Sequence, residues 1–210
     1  MVMIIAVHAK LCVNEIGKDR LSSRIMEAMA SVPRHRFVPV ELQELAYEDL
    51  PLPIGFGKTI SQPFIVALMT DLLAVEEHDK VLEIGTGFGY QAAVLAELAM
   101  GVYSVEIIAE LATEGELRLR GAGYDKVRLR IGDGSRGWSE HAPFDKIMMT
   151  AAPEHIPERL LEQLRPGGRM VLPVGVEDEQ KLIVVEKDNH NQVRTRELMA
   201  VRFSQLITSH

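Results

Sequence analysis

Three glycines at alternate positions follow a short apolar stretch in this 210-residue sequence. They are Gly85, Gly87 and Gly89, placed directly after Val81–Ile84 and before a helical pattern that begins at Tyr90. Glycines let the backbone turn sharply and let a ligand approach the main chain without meeting a Cβ atom, and a helix start adds free N–H groups. The spacing differs from the Gly-x-Gly-x-x-Gly of dinucleotide-binding folds, and no Gly-Lys-Ser/Thr of a P-loop follows. The motif therefore favours a bound ligand other than those of dinucleotide-binding folds and P-loops. The alternative is a tight turn that binds no ligand.

Acidic residues follow the next two apolar stretches. Glu106 ends the second, and Asp133 lies within Gly132-Asp133-Gly134 after the third. A carboxylate at a strand end can accept both hydroxyl hydrogens of a ribose, since a charged acceptor forms stronger hydrogen bonds than a neutral one. Asp133 is placed to accept the exocyclic amine of an adenine. A surface acid and an Asx turn are the respective alternatives. Because parallel strands end at one edge of their sheet, we expect these groups to share a crevice.

Strands alternate with helices through the centre of the chain. The expected strands are Val81–Ile84, Val102–Val105, Val127–Ile131, Asp145–Thr150 and Met170–Pro173. The expected helices are Tyr90–Ala99, Ile108–Arg120 (ended by Gly121) and Ile156–Leu164 (stopped by Pro166-Gly167-Gly168). This alternation predicts an α/β fold with a doubly wound, mostly parallel sheet.

The C-terminal part predicts antiparallel pairing. Leu182–Glu186 and Val193–Phe203 are separated only by the polar turn Asp188–Asn191. So short a connection requires a hairpin, which brings the sheet to seven strands.

The N-terminal part predicts added helices. They are expected at Asp19–Ala30 with Asp19 as N-cap, at Glu41–Tyr47 and at Gln62–Val75. The proline- and glycine-rich Leu50–Ser61 cannot be helix interior. We expect one domain over 1–210: the N-terminal helices and substrate-side segment (about 1–75), the core with the glycine motif (about 76–175) and the hairpin (about 176–210).

The composition excludes several classes of protein. Apolar residues make up 47%, charged residues 25%, and the net charge is −7, which is typical of a globular protein and unfavourable for binding nucleic-acid phosphates. A single cysteine, Cys12, excludes an intrachain disulfide and multi-cysteine zinc sites, and the histidines show no pair at metal-ligand spacing. The apolar run Met1–Val7 is too short to span a bilayer. We expect a cytoplasmic monomer without metal, nucleic acid or membrane.

Together, Glu83-x-Gly-x-Gly-x-Gly89, the strand-end Glu106 and the Gly-Asp-Gly motif resemble the S-adenosylmethionine-dependent (class I, Rossmann-like) methyltransferase fold. Further segments, in the same order, resemble the protein-L-isoaspartate O-methyltransferase family. They are Pro33–Pro39, Leu52–Gly55, Thr59–Pro63, Leu82–Gln91, Ala142–Asp145, Thr150–Pro153, Pro166–Gly168 and Leu172–Gly175. The resemblance covers about Asp19 to Phe203, and Thr59-Ile60-Ser61-Gln62-Pro63 is its most family-specific part.

The resemblance implies methyl transfer from S-adenosylmethionine to the free α-carboxyl of L-isoaspartyl residues in damaged peptides and proteins. The ester then collapses to a succinimide, whose hydrolysis returns some normal aspartate. By family analogy Ser61 is the active-site residue that contacts the substrate carboxylate, and Thr59 and Gln62 shape the substrate site. The cofactor would be held by Glu83, Gly85, Gly87, Glu106, Asp133 and Gly134. The other reading of Ser61 is an N-cap of the helix that follows, alone or combined with substrate contact.

Two departures from the family pattern stand out. Ser204 and Gln205 replace an apolar residue and a proline in the C-terminal wall of the peptide cleft, and Phe88 replaces a small residue in the glycine loop, where it could crowd the cofactor. Two alternatives therefore stay open. One is a methyltransferase of another acceptor, and the other is a cofactor-binding protein without turnover.

Overall fold

The computed structural model describes residues 1–209, and its centre is a seven-stranded sheet. The strand order is β5-β4-β3-β6-β7-β8-β9. The bounds are β3 Lys80–Ile84, β4 Gly101–Glu106, β5 Arg128–Ile131, β6 Phe144–Met149, β7 Leu164–Val174, β8 Gln180–Lys187 and β9 Val193–Val201. The first five of these strands pair in parallel, while β8 runs antiparallel to both β7 and β9. The predicted doubly wound sheet and its C-terminal hairpin are confirmed.

Helices cover both faces of the sheet. Their bounds are α1 Val2–Leu11, α2 Val13–Ile16, α3 Ser23–Ser31, α4 Pro63–Leu73, α5 Tyr90–Ala96, α6 Ala109–Gly121 and α7 Glu158–Gln163. Alternation along β3 sends Val81 into a core shared with α1, α3, α4 and α5. Leu82 and Ile84 enter the opposite core, which contains Leu160 of α7. Strand β3 is therefore buried on both faces, as its largely apolar sequence requires.

The N-terminal region differs from the sequence expectation in three places. Helix α3 begins at Ser23 with Ser22 as its cap, whose hydroxyl accepts the Ile25 N–H at 3.4 Å, so Asp19 is not the cap. The second expected helix is a 3₁₀ helix, Val40–Leu45. The segment over 50–61 is not helical, as expected, but it forms an antiparallel hairpin of β1 (Leu52–Gly55) and β2 (Lys58–Ile60).

Two further differences are a helix that the sequence did not predict and a strand that begins earlier than expected. Helix α1 had no counterpart in the sequence expectation, and it packs Ile5 and Ala9 into the core. Strand β7 begins at Leu164 and runs through Pro166-Gly167-Gly168, which was expected to be only a helix stop. The Phe144/Lys146 register irregularity against β6 accommodates this glycine-rich start. No helix within residues 1–209 has the length and apolarity needed to cross a membrane.

Candidate active site

A cleft with a volume of about 660 Å³ opens at the carboxyl edge of the parallel strands. Its floor comes from the ends of β3 and β4, and its walls come from the β2–α4 connection, α1 and the segment after β9. Seven of the nine predicted site residues line it: Thr59, Ser61, Gln62, Gly85, Gly87, Glu106 and Gly134. Glu83 and Asp133 do not line it. Most of the residues predicted from the sequence therefore lie in one cleft, whereas the two acids Glu83 and Asp133 have other positions in the fold.

The glycine loop requires glycine for space as well as for conformation. Gly85 has φ +96°, and a Cβ atom there would lie 2.3 Å from Thr150 Oγ1. That hydroxyl donates to Gly85 O at 2.7 Å and so fixes the start of the loop. At Gly134 a Cβ would lie 2.2 Å from Ile84 Cγ2, in the core. The loop and the third strand end can therefore meet a ligand only as bare backbone, which is the cradle that an adenosyl group needs.

Glu106 lies at the end of β4 with its carboxylate at the cleft. Its Oε2 accepts the Gly87 N–H at 2.9 Å and its Oε1 accepts the Ile108 N–H at 3.1 Å. A carboxylate oxygen has more than one acceptor position. Glu106 can therefore tie the glycine loop to β4 and still accept ligand hydroxyls.

Asp133 forms the Asx turn that was its alternative interpretation. Its Oδ1 accepts Ser135 N at 2.9 Å and Ser135 Oγ at 2.7 Å, while Oδ2 accepts Ser209 N at 3.0 Å and Ser209 Oγ at 3.3 Å. Burial opposes ionisation, but the hydrogen bonds from Ser135 and Ser209 outweigh it and hold the pKa of Asp133 below its ordinary value. Its backbone neighbour Gly134, not its carboxylate, faces the cleft.

Glu83 lies beneath the glycine loop and is fully buried. Ser104 Oγ donates to its Oε2, and Thr86 Oγ1 lies 2.6 Å from that same Ser104 oxygen, while Glu83 Oε1 has no hydrogen-bond partner within residues 1–209. Burial is the main cause that raises the pKa of Glu83 to about 8; the Ser104 hydrogen bond opposes the rise and the nearby charge of Glu106 adds to it. A neutral carboxyl therefore braces the loop from below through Ser104 and Thr86.

Ser61 connects β2 to α4, and it is not the N-cap of that helix. The N-cap position is Gln62, without a side-chain cap of its own. Instead Asp49 accepts the Phe64 N–H at 2.8 Å and Gln62 Nε2 at 2.8 Å. Within residues 1–209 the Ser61 hydroxyl makes no hydrogen bond, although the Ser61 carbonyl accepts from Arg34. Both capping interpretations of Ser61 are wrong, and its hydroxyl is available to a ligand.

The C-terminal wall stays on the cleft despite its unusual sequence. Phe203, Ser204 and Gln205 all line the cavity. Gln205 forms a parallel bridge with Ala152, and its Nε2 donates to Gly175 O at 3.1 Å. The side-chain amide of Gln180 accepts the Phe203 N–H at 2.7 Å and donates to the Phe203 carbonyl at 2.9 Å. These side-chain bonds hold the segment without the proline.

Phe88 does not crowd the cleft. It is half-buried and lies outside the cavity lining, with the Arg118 guanidinium 4.3 Å from its ring centroid. The expectation that a large residue here obstructs the ligand is wrong, because the side chain packs against the core and against Arg118 of α6.

Sequence reasoning missed three contributors to the site. Arg34 and Asp49 hold the Ser61 segment, and Thr150 fixes Gly85. Arg34 and Thr150 lay within motifs that carried the resemblance, but Asp49 gave no signal because its contacts are distant in sequence. No cluster of three or more His, Cys, Asp or Glu side chains suited to a metal ion occurs in residues 1–209.

Known proteins match both this sequence and this fold. A family model described as "Protein-L-isoaspartate(D-aspartate) O-methyltransferase (PCMT)" matches residues 7–210. Protein-L-isoaspartate O-methyltransferase 1 of Polaromonas sp. is 55% identical over 98% of this chain and 87% of its own length.

Two solved structures share the overall fold. A protein-L-isoaspartate O-methyltransferase superposes with TM-score 0.81 at 26% identity, covering 98% of this chain and 65% of the other. A Plasmodium falciparum structure described as a "putative protein-L-isoaspartate O-methyltransferase", solved with S-adenosyl-L-homocysteine, gives TM-score 0.79 at 20% identity over 98% of both chains. The chain belongs to the protein-L-isoaspartate O-methyltransferase family.

Proposed function

We propose that this protein transfers the methyl group of S-adenosylmethionine to the free α-carboxyl of L-isoaspartyl residues in damaged peptides and proteins. One observation carries the proposal: an unengaged Ser61 hydroxyl and the Cβ-free glycine loop line the same cleft. The 55% identity to a named relative across nearly the whole chain supports the choice of acceptor.

The acceptor needs little chemical assistance. A peptide carboxyl has a pKa of about 3.5 to 4, so it is already an anion at neutral pH and requires no general base. When bound, S-adenosylmethionine supplies an electrophilic methyl carbon next to a sulfonium. The protein has to hold a carboxylate oxygen about 3 to 3.5 Å from that carbon, in line with the departing sulfur.

Ser61 suits this task because its hydroxyl is neutral. It can donate one hydrogen bond to the carboxylate and fix its orientation without the strong attraction of a cation, which would stabilise the anion more than the transition state. Thr59 and Gln62 flank it on the same wall. We assign Ser61 as the catalytic residue and its two neighbours to substrate binding.

The apolar walls favour the same reaction. Since an anion and a cation neutralise each other during transfer, water would stabilise the separated charges more than the transition state. Apolar residues line the cleft beside the polar ones: Ile54, Phe64, Ile65, Ile84, Val105, Leu111 and Met199. They exclude water where the two reactants meet.

The cofactor side follows from the contacts already described. We propose that Gly85, Gly87 and Gly134 form the surface for the cofactor and that Glu106 accepts the ribose hydroxyls. Glu83 acts through the loop that it braces. Asp133 acts by exchanging its Ser209 contacts for the adenine amine. We further propose a cytoplasmic monomer that binds neither nucleic acid nor membrane; the net charge of −7 disfavours binding to nucleic-acid phosphates.

Labelled S-adenosylmethionine with paired isoaspartyl and aspartyl peptides tests the function. Label in the isoaspartyl peptide alone is the expected result. Label only in some other acceptor would point to a different methyltransferase. Cofactor binding without any transfer would point to a binding protein, and either outcome overturns the proposal.

A further inference from the structure

Arg34 is a buried arginine that the proposed chemistry does not use. Its side chain is inaccessible to solvent. Nε donates to Ala46 O at 2.8 Å and Nη2 donates to Ser61 O at 2.8 Å. Burying a guanidinium is costly, so its place in the core calls for a reason beyond filling space.

The same guanidinium lies over an aromatic ring next to the glycine loop. Its central carbon lies 4.7 Å from the ring centroid of Tyr90, the first residue of α5. Tyr90 directly follows Gly89, the last glycine of the loop. One side chain therefore joins the backbone of Ser61 to the end of the glycine loop.

The segment that carries Arg34 is itself fixed to the loop by a second arginine. Arg118 Nη1 of α6 donates to Arg36 O and to Val38 O, each at 2.8 Å. The Arg118 guanidinium also covers the Phe88 ring. Arg118 thus links the segment around the 3₁₀ helix Arg34–Phe37 to the glycine loop.

Asp49 restrains the other end of the Ser61 segment. Its side chain is 5% exposed and lies against His8 Nδ1 as well as Gln62 and Phe64. Arg34 donates to the carbonyl of Ser61, while Asp49 accepts from the side chain of Gln62 and from the backbone N–H of Phe64. The Ser61 hydroxyl is consequently the free group on a restrained backbone.

We propose that Arg34 is a positioning residue that sets the distance between the Ser61 hydroxyl and the glycine loop. The proposal rests on the proposed function. A misplacement of about 1 Å can cost roughly 100-fold in rate when reactants must be in line. Lysine keeps the charge but lacks the planar fork that donates to two carbonyls while lying over the Tyr90 ring.

Arg34→Lys tests this, with Arg24→Lys as the control. Arg24 also bridges two backbone carbonyls, those of Val75 and Leu98, but it lies outside the cleft lining. We expect Arg34→Lys to lower kcat by about 10- to 100-fold with cofactor Kd within about 3-fold of wild type. Arg24→Lys should keep kcat within about 2-fold.

Hydrogen exchange of residues 60–64 gives a readout independent of turnover. Arg34→Lys should speed exchange there by a larger factor than at the core amides that report global unfolding, and Arg24→Lys should not. If Arg34→Lys does not fold, Tyr90→Leu removes the other end of the bridge and should lower kcat similarly. A kcat within 2-fold of wild type, or unchanged exchange, would overturn the role of Arg34. Wild-type protein inactive on isoaspartyl peptides would overturn the function instead, and the exchange result would still decide the role of Arg34.

Discussion

Replacing Glu83 with glutamine should change how stability depends on pH. Burial raises the pKa of Glu83 from its ordinary 4.5 to about 8. The folded protein therefore keeps a proton that the unfolded chain releases above pH 4.5. This difference in proton binding stabilises the folded protein fully below pH 4.5. Its contribution to the unfolding free energy is then lost progressively as the pH rises to 8. Glutamine does not titrate, so the variant lacks this loss.

The size of the effect follows from the two pKa values. Each pH unit in that interval corresponds to about 1.36 kcal/mol. Between pH 5 and pH 7.5 the wild type should lose about 3 kcal/mol of unfolding free energy relative to Glu83→Gln. The absolute difference at any one pH also includes the fit of the amide beside Ser104, so the pH dependence is the quantity to measure.

Urea unfolding of both proteins across this pH range provides the assay. Glu77→Gln serves as the control because Glu77 is exposed, and its difference from wild type should stay within about 0.5 kcal/mol throughout. A difference between wild type and Glu83→Gln that stays constant with pH would refute the reasoning. It would mean that Glu83 is charged or hydrated in the folded protein.

Three further predictions concern the cleft. Ser61→Ala should lower kcat/KM by about 10- to 100-fold, because a hydrogen bond to a charged group is lost. Its unfolding free energy should stay within about 0.5 kcal/mol of wild type. A wild-type rate in steady-state assays would remove Ser61 from the mechanism. Gly134→Ala should destabilise the protein by about 1 to 3 kcal/mol, since the new methyl meets Ile84, and weaken cofactor binding in calorimetry; unchanged affinity would place the cofactor elsewhere. Lys58 lines the cleft, and no carboxylate of residues 1–209 lies within 4 Å of its ammonium group. Because its charge can attract an anionic peptide, Lys58→Gln should raise KM for isoaspartyl peptides about 2- to 5-fold in dilute buffer and much less at 1 M salt. An effect independent of salt would contradict an electrostatic role.

The centre of the sheet was predictable because strands such as β3 and β6 are short, largely apolar runs buried on both faces, and because strands alternate with helices there. Helix α1 was not, because its apolar residues do not keep to one face: Ile5 is buried, while Met3, Val7 and Leu11 are exposed. Hairpin β1–β2 escaped prediction because its prolines and glycines interrupt the alternation that marks a strand.

The site was predictable where one motif holds a whole contact and not where distant residues cooperate. Gly85, Gly87 and Glu106 are local to their strand ends, so their spacing located the cleft. The alternative interpretation of Ser61 as a cap was wrong because the residue that caps the helix, Asp49, comes from a preceding loop. The depth of Glu83 was equally hidden, since a strand pattern gives the face of a residue but not whether it reaches the cleft.

Fragmentation mass spectrometry of the methylated peptide tests the central claim most directly. Wild-type protein, S-adenosylmethionine and an isoaspartyl peptide should give a single added methyl group on the α-carboxyl of the isoaspartyl residue. The aspartyl twin of that peptide should remain unmodified. A methyl group on any other atom of the peptide, or equal modification of both peptides, would contradict the account.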